Sequence, residues 1–274
     1  MKLNNKHIDL SSPRVMTIVN VTPDSFYDGS RTFTEEEIER HVVQAIEQGA
    51  DMLDVGGYSS RPNADEVSVE EEIARVDRAM RVIRRVYPEV VVSIDTFRAE
   101  VVRRVVDKWG DCIVNDISAG ELDTQMIATV ARLGLPYVAM HLRGTPATMQ
   151  SMTNYDDIVE EMRQYFVHKL DELHRAGIED VVIDAGFGFA KTLEQNYQLM
   201  SGLHRLGDLG APILVGISRK SMIYRLLDCT PAEALNGTTA LHFEALRQGA
   251  KILRVHDTRE AVEVVKIYNQ LNKN

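Results

Sequence analysis

Eight short runs rich in β-branched residues recur along the chain, and most end in or just before a polar residue. The runs are Val15–Asn20, Met52–Val55, Val91–Asp95, Cys112–Asp116, Tyr137–Met140, Val181–Asp184, Ile213–Gly216 and Ile252–Val255. Successive runs start 21 to 44 residues apart, which leaves room for one helix between neighbouring strands. Eight strands alternating with helices over about 250 residues predict an α/β protein, a (β/α)8 or TIM barrel.

No low-complexity segment and no linker rich in Pro, Gly or Ser interrupts this alternation. We therefore expect one domain over residues 1–274, with an N-terminal extension at 1–14 and the barrel over about 15–270. The main alternative is an open doubly wound sheet, which often begins with a Gly-rich dinucleotide turn. Here the first strand leads into Asn20-Val21-Thr22-Pro23-Asp24, which is no such turn.

Helix-start signals lie in several of the intervals between strands. Thr34-Glu35-Glu36-Glu37 has the pattern of a capping box, and Ser68-Val69-Glu70-Glu71 opens a second helix in the same way. Thr230-Pro231-Ala232-Glu233 combines an N-cap with Pro at the first helical position. An apolar stripe after Asp156 predicts a long helix.

Charge and cysteine content exclude several classes of function. Acidic residues outnumber basic ones by 41 to 31, and the net charge of −10 argues against nucleic acid as a partner. A local cluster of donors can still bind a small anion. No apolar run is long enough to span a membrane, and the first residues lack the apolar stretch of a secretory signal. Cys112 and Cys229 fit neither a disulfide framework nor metal spacing, so we expect a cytoplasmic protein.

Polar side chains are concentrated at the carboxyl ends of the predicted strands. They are Asn20, Asp54, Asp95, Asn115, Asp116 and Asp184. In a barrel these ends form one mouth, where active sites of this fold lie. One such residue alone would be interpreted as a helix cap, but six favour a site. A structural role is the first expectation for Asp54 and Asp116.

The last two predicted strands bring cations to the same mouth. Arg254 and His256 alternate with Leu253 and Val255, so the basic pair points inward if the apolar pair packs on the helices. An inward Arg needs an anionic partner, either a ligand or a nearby Asp. Lys220 follows the neighbouring strand, and the loops after strands 7 and 8 often bind phosphate in this fold.

Three loops at this end have compositions suited to a binding site. Residues 20–29 and 56–64 mix Gly and Pro with hydroxyl, aromatic and basic side chains, which is typical of mobile lids and also of ordinary turns. The Gly-rich segment 184–191 allows close approach of backbone to a ligand. No His-Glu-x-x-His, Walker A or Gly-x-Ser-x-Gly motif is present. We expect structural roles for His141 and Trp109.

Eight motifs, in order along the chain, resemble those of the dihydropteroate synthases. They are Asn20-Val21-Thr22-Pro23-Asp24-Ser25-Phe26, Asp54-Val55-Gly56-Gly57, Ser60-Arg61-Pro62, Ser93-Ile94-Asp95-Thr96, Asn115-Asp116-Ile117, Asp184-Ala185-Gly186-Phe187-Gly188-Phe189, Ser218-Arg219-Lys220-Ser221 and Arg254-Val255-His256-Asp257. The resemblance implies a (β/α)8 barrel that joins 4-aminobenzoate to 6-hydroxymethyl-7,8-dihydropterin diphosphate and releases dihydropteroate and diphosphate. It also implies Mg²⁺ as cofactor, a homodimer, and inhibition by sulfonamides at the aminobenzoate site.

The resemblance also implies roles for particular residues. The pterin-binding set is Asp95, Asn115, Met140, Asp184, Phe189, Gly216 and Lys220. The diphosphate-binding set is Asn20, Ser60, Arg61, Arg254 and His256, with Asn20 also the protein ligand to Mg²⁺. The aminobenzoate-binding set is Phe26, Ser60, Pro62, Lys220 and Ser221.

The catalytic residues implied in this way are Asp95, Asp28 and Lys220. As diphosphate departs, the pterin methylene becomes cationic, and our hypothesis is that Asp95 and Asp28 stabilise this charge. The arylamine is neutral at pH 7 and attacks without needing a strong base.

The sequence departs from the family pattern at a few positions. Tyr58 replaces the usual Glu, Ser60 a Thr, Asn63 a Gly, Ala185 a Pro and Ala190 a Gly. Ser60 keeps the hydroxyl, whereas Asn63 stiffens the second lid because Asn is less free than Gly in left-handed backbone. These changes bear on lid conformation and sulfonamide affinity rather than on contacts with the reacting atoms.

Two other functions fit parts of the pattern. A methyltetrahydrofolate-corrinoid methyltransferase shares the pterin-binding barrel, but it has no need of the Ser-Arg-Pro loop or of the Arg254/His256 pair. A non-catalytic paralogue is expected to have lost one or more of Asn20, Arg61, Asp95, Lys220 and His256, and all five are present.

Overall fold

Eight parallel strands close into one barrel, as the spacing of the β-branched runs predicts. The structure, a computed structural model, describes residues 1–3, 6–22, 34–59, 66–145 and 147–273. The barrel strands are β3 (Arg14–Asn20), β4 (Met52–Gly56), β5 (Val91–Asp95), β6 (Ile113–Asp116), β7 (Tyr137–Met140), β8 (Val181–Asp184), β9 (Ile213–Val215) and β10 (Ile252–Val255). The strand order runs from β3 to β10 around the barrel, and β10 pairs with β3 to close it.

The helices alternate with these strands as expected. They are α1 (Glu35–Glu47), α2 (Val69–Val86), α3 (Ala99–Trp109), α4 (Met126–Leu133), α5 (Ile158–Arg175), α6 (Leu193–Ser201), α7 (His204–Gly207), α8 (Ser221–Tyr224), α9 (Leu235–Arg247) and α10 (Thr258–Leu271). Short 3-10 helices lie at Met149–Ser151 and Pro231–Glu233. No helix in the described ranges is long and apolar enough to cross a bilayer.

The start signals are confirmed by the hydrogen bonds at the helix ends. Thr34 and Glu37 form the reciprocal capping box of α1, and Ser68 Oγ accepts from the backbone N–H of Glu71 at the start of α2. Asp157 caps α5, the long helix expected after Asp156. The Thr230-Pro231 signal opens a 3-10 turn before α9 rather than a longer helix.

The amino-terminal half of the barrel interior is apolar. Met16, Met52, Ile113, Val182 and Ile252 are among the fully buried side chains there. Below them, β1 (Lys2–Leu3) and β2 (Lys6–His7) pair antiparallel, and Leu3 and Ile8 join the same cluster. The N-terminal extension therefore covers the bottom of the barrel, and this end supplies stability rather than a ligand site.

The carboxyl-terminal half of the interior is polar because side chains alternate along each strand. Leu253 and Val255 pack outward against the helices, as expected, so Arg254 faces inward. The register pairs Gly56 with both Asn20 and Asp95, and Asp95 with Asn115. These residues therefore occupy one level around the mouth.

Asp116 has the structural role expected of it. One carboxylate oxygen accepts from the Ser118 backbone N–H and hydroxyl, and the other accepts from the Gly120 N–H and the Tyr137 hydroxyl, at 2.7–2.8 Å. Because Asn115 precedes it and faces inward, Asp116 faces the helices. It organises the turn after β6 and does not reach the mouth.

We predict that Asp116→Ala lowers the free energy of unfolding by about 3 kcal/mol, because three buried donors and one half-buried donor lose their acceptor. Urea unfolding measures the change. Asp171→Ala, at a half-exposed ion pair with Arg175, is the control and should cost less than about 0.5 kcal/mol. A loss of ligand binding at the mouth while stability stayed constant would contradict the structural role.

Candidate active site

Arg254 is held between two carboxylates at the centre of the mouth. Its Nε donates to Asp54 Oδ2 and its Nη2 donates to Asp95 Oδ2, each at 2.6 Å. Burial opposes the charge of Arg254, but the two carboxylates raise its pKa above the usual value. Asp54 and Asp95 therefore provide the anionic partners that an inward Arg needs.

Asp54 lies inside the barrel rather than at the end of a helix. Its side chain is fully buried, and Oδ2 accepts from Asn115 Nδ2 at 3.1 Å as well as from Arg254. Oδ1 is buried and has no hydrogen-bond partner in the described ranges, and neither has the hydroxyl of Ser93, which pairs with Asp54 in the strand register. Buried polar atoms of this kind usually bind a water molecule or a ligand. Asp54 is thus part of the site, which the sequence did not favour.

Asp95 faces the mouth with 18% of its side chain exposed. Burial raises its pKa to about 7 despite the attraction of Arg254, and the negative charge of Asp54 adds to this shift. A pKa in this range makes the charge of Asp95 sensitive to neighbouring groups near neutral pH. A cation that forms beside it will favour the ionised form.

Asp184 and Lys220 form the opposite side of the pocket. Asp184 Oδ1 accepts from the Gly186 N–H at 2.8 Å; burial raises the pKa of this carboxyl, and the charge of Lys220 opposes the rise. Lys220 Nζ donates to the Phe187 carbonyl at 2.6 Å and lies 4.7 Å from the centre of the Phe189 ring. Burial lowers the pKa of Lys220 to about 8, with Asp184 opposing the change.

An apolar cluster separate from the main core lines this side of the mouth. Its buried members are Ile117, Met140, Leu142, Met149 and Ala190, and Phe189 packs against them. Gly216 lies beside Arg254, whose Cβ and Cδ come within 3.7 Å of the position that a Cβ would take there. The predicted slot residues Met140, Phe189 and Gly216 therefore border the polar groups.

The missing side chain of Gly56 leaves a small cradle between Asn20 and Asp95. A Cβ on Gly56 would lie 3.0 Å from Asn20 Oδ1 and 3.6 Å from Asp95 Oδ2. No group of three or more His, Cys, Asp or Glu suited to a metal occurs in the described part of the chain. Mg²⁺ often binds through one or two protein oxygens, with phosphate and water completing its shell. The donors present fit that mode of binding.

The loops after β9 and β10 carry the remaining described site residues. Ser221 begins α8, which is only four residues long, so little helix dipole is available there. His256 is exposed, and its backbone N–H donates to Ser218 Oγ at 3.2 Å.

Lys191 is a buried cation to which the sequence assigned no role. Its Nζ lies within 2.9–3.3 Å of the Gly186 and Phe189 carbonyls and of His141 Nδ1. Burial lowers the pKa of Lys191 to about 7, and burial together with Lys191 lowers that of His141 well below its usual value. His141 thus has the structural role expected of it. The Gly-rich pattern indicated the loop but not its internal cation.

Several predicted residues lie outside the described ranges. They are Phe26, Asp28, Ser60, Arg61, Pro62 and Asn63. Among the other departures from the family pattern, Ala190 has φ +49°, a conformation that favours the usual Gly. Tyr58 packs edge-on against Phe97, with the Arg98 guanidinium 5.2 Å from each ring centre.

The fold and the residues at the mouth together define a class of protein. A closed parallel barrel with buried carboxylates, cations and an apolar slot at its carboxyl end is a barrel enzyme that binds a partly apolar, partly charged small molecule.

Comparison with known proteins gives the family. The pterin-binding enzyme family matches residues 16–256. Dihydropteroate synthase of Escherichia coli K12 is 43% identical over 262 residues, covering 95% of this chain and 92% of that protein. The Yersinia pestis dihydropteroate synthase structure, solved with a sulfonamide drug complex, has a TM-score of 0.92 at 36% identity over 99% of this chain and 98% of that one. The Xanthomonas albilineans dihydropteroate synthase bound to 7,8-dihydropteroate has a TM-score of 0.84 at 37% identity over 97% and 96%.

The chain therefore belongs to the dihydropteroate synthase family of pterin-binding enzymes. It is an enzyme, a transferase of folate biosynthesis.

The raised pKa of Asp95 predicts a specific pH dependence of stability. The folded protein binds this proton more tightly than the unfolded chain, where the pKa is near 3.8. The contribution of this proton to the free energy of unfolding is complete below pH 4 and is lost as the pH rises through about 7. Asp95→Asn cannot ionise, so its stability relative to wild type should increase between pH 5 and pH 8.

Urea unfolding at steps across this range measures the difference. Asp9→Asn is the control. Hydrogen bonds from Ser11 lower the pKa of Asp9, so Asp9 should cause no decline in the free energy of unfolding as the pH rises. Parallel curves for wild type and Asp95→Asn would show that Asp95 titrates normally.

Proposed function

We propose that this chain condenses 6-hydroxymethyl-7,8-dihydropterin diphosphate with 4-aminobenzoate to give 7,8-dihydropteroate and diphosphate. The observation that carries the proposal is the inward-facing polar set at one mouth. Its described members are Asp54, Asp95, Asn115, Asp184, Lys220 and Arg254. The Xanthomonas albilineans relative, solved with 7,8-dihydropteroate, supports the same product for this chain.

The pterin is recognised by groups that match its alternating donors and acceptors. The Asp184 carboxylate accepts from the amino and ring N–H groups, and the Lys220 ammonium and the Asn115 amide complete the edge. Binding is selective because each of these polar groups would lose a partner if the wrong heterocycle entered. The apolar cluster of Met140 and Phe189 provides a surface for the ring faces.

The diphosphate occupies the side of the mouth formed by β3 and β10. Arg254 and His256 supply positive charge and donors there, with Ser60 and Arg61 contributing from the loop after β4. Arg254 keeps Asp54 as the partner of Nε and Asp95 as the partner of Nη2, which fixes the plane of the guanidinium and directs Nη1 to the diphosphate.

Mg²⁺ is proposed as the cofactor, and Asn20, whose Oδ1 lies beside Gly56, would be the protein residue that holds it. When bound, it neutralises charge on the departing diphosphate. Asn20 orients the leaving group toward β3, away from the side of the ring held by Asp184.

The reaction proceeds by dissociative loss of diphosphate. The bond between the methylene carbon and the diphosphate oxygen breaks, and its electron pair leaves with diphosphate. The ionised Asp95, with Asp28, stabilises the cationic methylene, since a carboxylate in a partly buried site interacts strongly with nearby charge. Lys220 stays protonated near pH 7 and holds the heterocycle in place. The arylamine nitrogen then bonds to the methylene and releases a proton.

The aminobenzoate site lies beside Lys220 and Ser221, which receive the carboxylate. The resemblance assigns the ring of the substrate to Phe26, Ser60 and Pro62, which lie outside the described residues. Sulfonamides resemble aminobenzoate in shape and charge, and we propose that they compete here. The Yersinia pestis relative, solved with a sulfonamide drug complex, supports this.

We further propose a cytoplasmic homodimer. Ile267 and Leu271 lie one turn apart on α10 and are 57% and 68% exposed, which is typical of side chains that meet a partner. Both cysteines are free thiols, as in reducing compartments. Sedimentation equilibrium measures the mass of the assembly.

The direct test is an assay of diphosphate release from the purified chain. Release should require both the pterin diphosphate and 4-aminobenzoate, and should fall when a chelator removes Mg²⁺ and recover when it is returned. A methyltransferase or a binding-only protein would release none. Release that ignores 4-aminobenzoate would contradict the proposed condensation.

Asp95→Asn should separate turnover from binding. The amide preserves the size of the side chain and removes the charge that stabilises the cation, so we expect kcat to fall by about 100-fold. The Kd for 6-hydroxymethylpterin should change by less than about threefold, because the other edge contacts persist. Asp184→Asn is the matched comparison and should mainly weaken pterin binding. Equal losses of kcat and affinity in Asp95→Asn would refute the role given to its charge.

A further inference from the structure

Arg219 lies between two site residues, Ser218 and Lys220, in an unusual backbone conformation. Its φ is +54°, a left-handed backbone conformation that is unfavourable for a residue with a Cβ. Its backbone N–H donates to Thr238 Oγ1 at 3.1 Å. The turn places Lys220 toward the pocket while the Arg219 side chain runs to the outside of the mouth.

The Arg219 side chain makes a two-pronged ion pair with Asp257. Nε donates to Oδ2 and Nη2 donates to Oδ1, both at 2.8 Å. Nη1 donates to the carbonyls of Pro231 and Ala232. The pair is 26% and 18% exposed, so it is screened less than an ordinary surface pair. Every described hydrogen bond of this guanidinium joins one loop to another, so the group does not face the pocket.

Two consecutive links therefore join the loop after β9 to the loop after β10. Ser218 accepts from the His256 N–H, and Arg219 binds Asp257. One loop presents Lys220 to the pterin, and the other follows Arg254 and presents His256 to the diphosphate. The pterin diphosphate has to contact both loops at once.

We propose that Arg219 and Asp257 are a positioning pair that fixes the spacing between the pterin-binding and diphosphate-binding sides of the pocket. This inference rests on the proposed function. Joined ligands gain affinity when both halves of a site are held at the matching distance. Loosening the pair removes that gain without removing any contact to either half of the ligand.

The experiment compares a whole substrate with its two parts. Calorimetry gives Kd for the pterin diphosphate, for 6-hydroxymethylpterin and for inorganic diphosphate, each with Mg²⁺. Arg219→Gln and Asp257→Asn should each raise Kd for the pterin diphosphate by about tenfold and change each part by less than about twofold. The double variant should also lose about tenfold, because the two changes break one interaction.

Arg14→Gln is the matched control. Arg14 pairs with Asp51 at 3.0 Å with similar exposure, 32% and 31%, but at the opposite end of the barrel. Arg14→Gln should leave all three Kd values unchanged even if it lowers the free energy of unfolding as much as Arg219→Gln does.

Three outcomes would overturn the pair. They are unchanged affinity for the whole substrate, equal weakening of all three ligands, and a multiplied loss in the double variant. Failure of the wild-type chain to bind pterin diphosphate would overturn the proposed function and this inference with it. Wild-type affinity for the pterin diphosphate in both variants would overturn the inference alone.

Discussion

The arrangement of the mouth depends on one guanidinium shared by two carboxylates. Burying three charges costs free energy, and a packed apolar core of similar volume would be at least as stable. Asp54 is completely buried while Arg254 and Asp95 are partly exposed, so the charge is presented toward the ligand side. The deep Asp54 bond orients Arg254, and Arg254 in turn limits how far burial can raise the pKa of Asp95. The position of Arg254 and the pKa of Asp95 therefore both depend on the hydrogen bonds of this one guanidinium.

This arrangement is possible because the barrel separates stability from chemistry along its axis. Apolar side chains fill the amino-terminal half and the N-terminal strands cover it. Along each strand, a shift of two residues moves an inward position from that core to the mouth, as from Met52 to Asp54 to Gly56. The polar level can then carry atoms that have no hydrogen-bond partner among the described residues, such as Asp54 Oδ1, without weakening the packing below it.

The strands could be predicted almost to their ends because β-branched runs and polar ends mark them locally. Which way each side chain faces could be predicted for Arg254, whose apolar neighbours fix the alternation. For adjacent polar residues it could not: nothing local tells whether Asn115 or Asp116 faces inward, and only the neighbouring strands decide. The same limit explains Asp54, whose partner Arg254 is 200 residues away along the chain. Lys191 and Asp257 were missed as parts of the site because their partners are backbone carbonyls or another loop.

Burial disfavours the charged form of four ionisable groups at or beside the mouth, whereas two carboxylates favour the charged form of Arg254. Burial raises the pKa of Asp95 and Asp184 and lowers that of Lys220 and Lys191. An anion placed near the cations would offset part of the effect of burial on their pKa values. Hydrogen-bond donors placed near the carboxylates would do the same for the carboxylates. A ligand that brings a diphosphate to one side and N–H groups to the other relieves both at once. The same chain carries an excess of acidic residues overall, so affinity for such an anion has to arise from this local arrangement and not from the net charge.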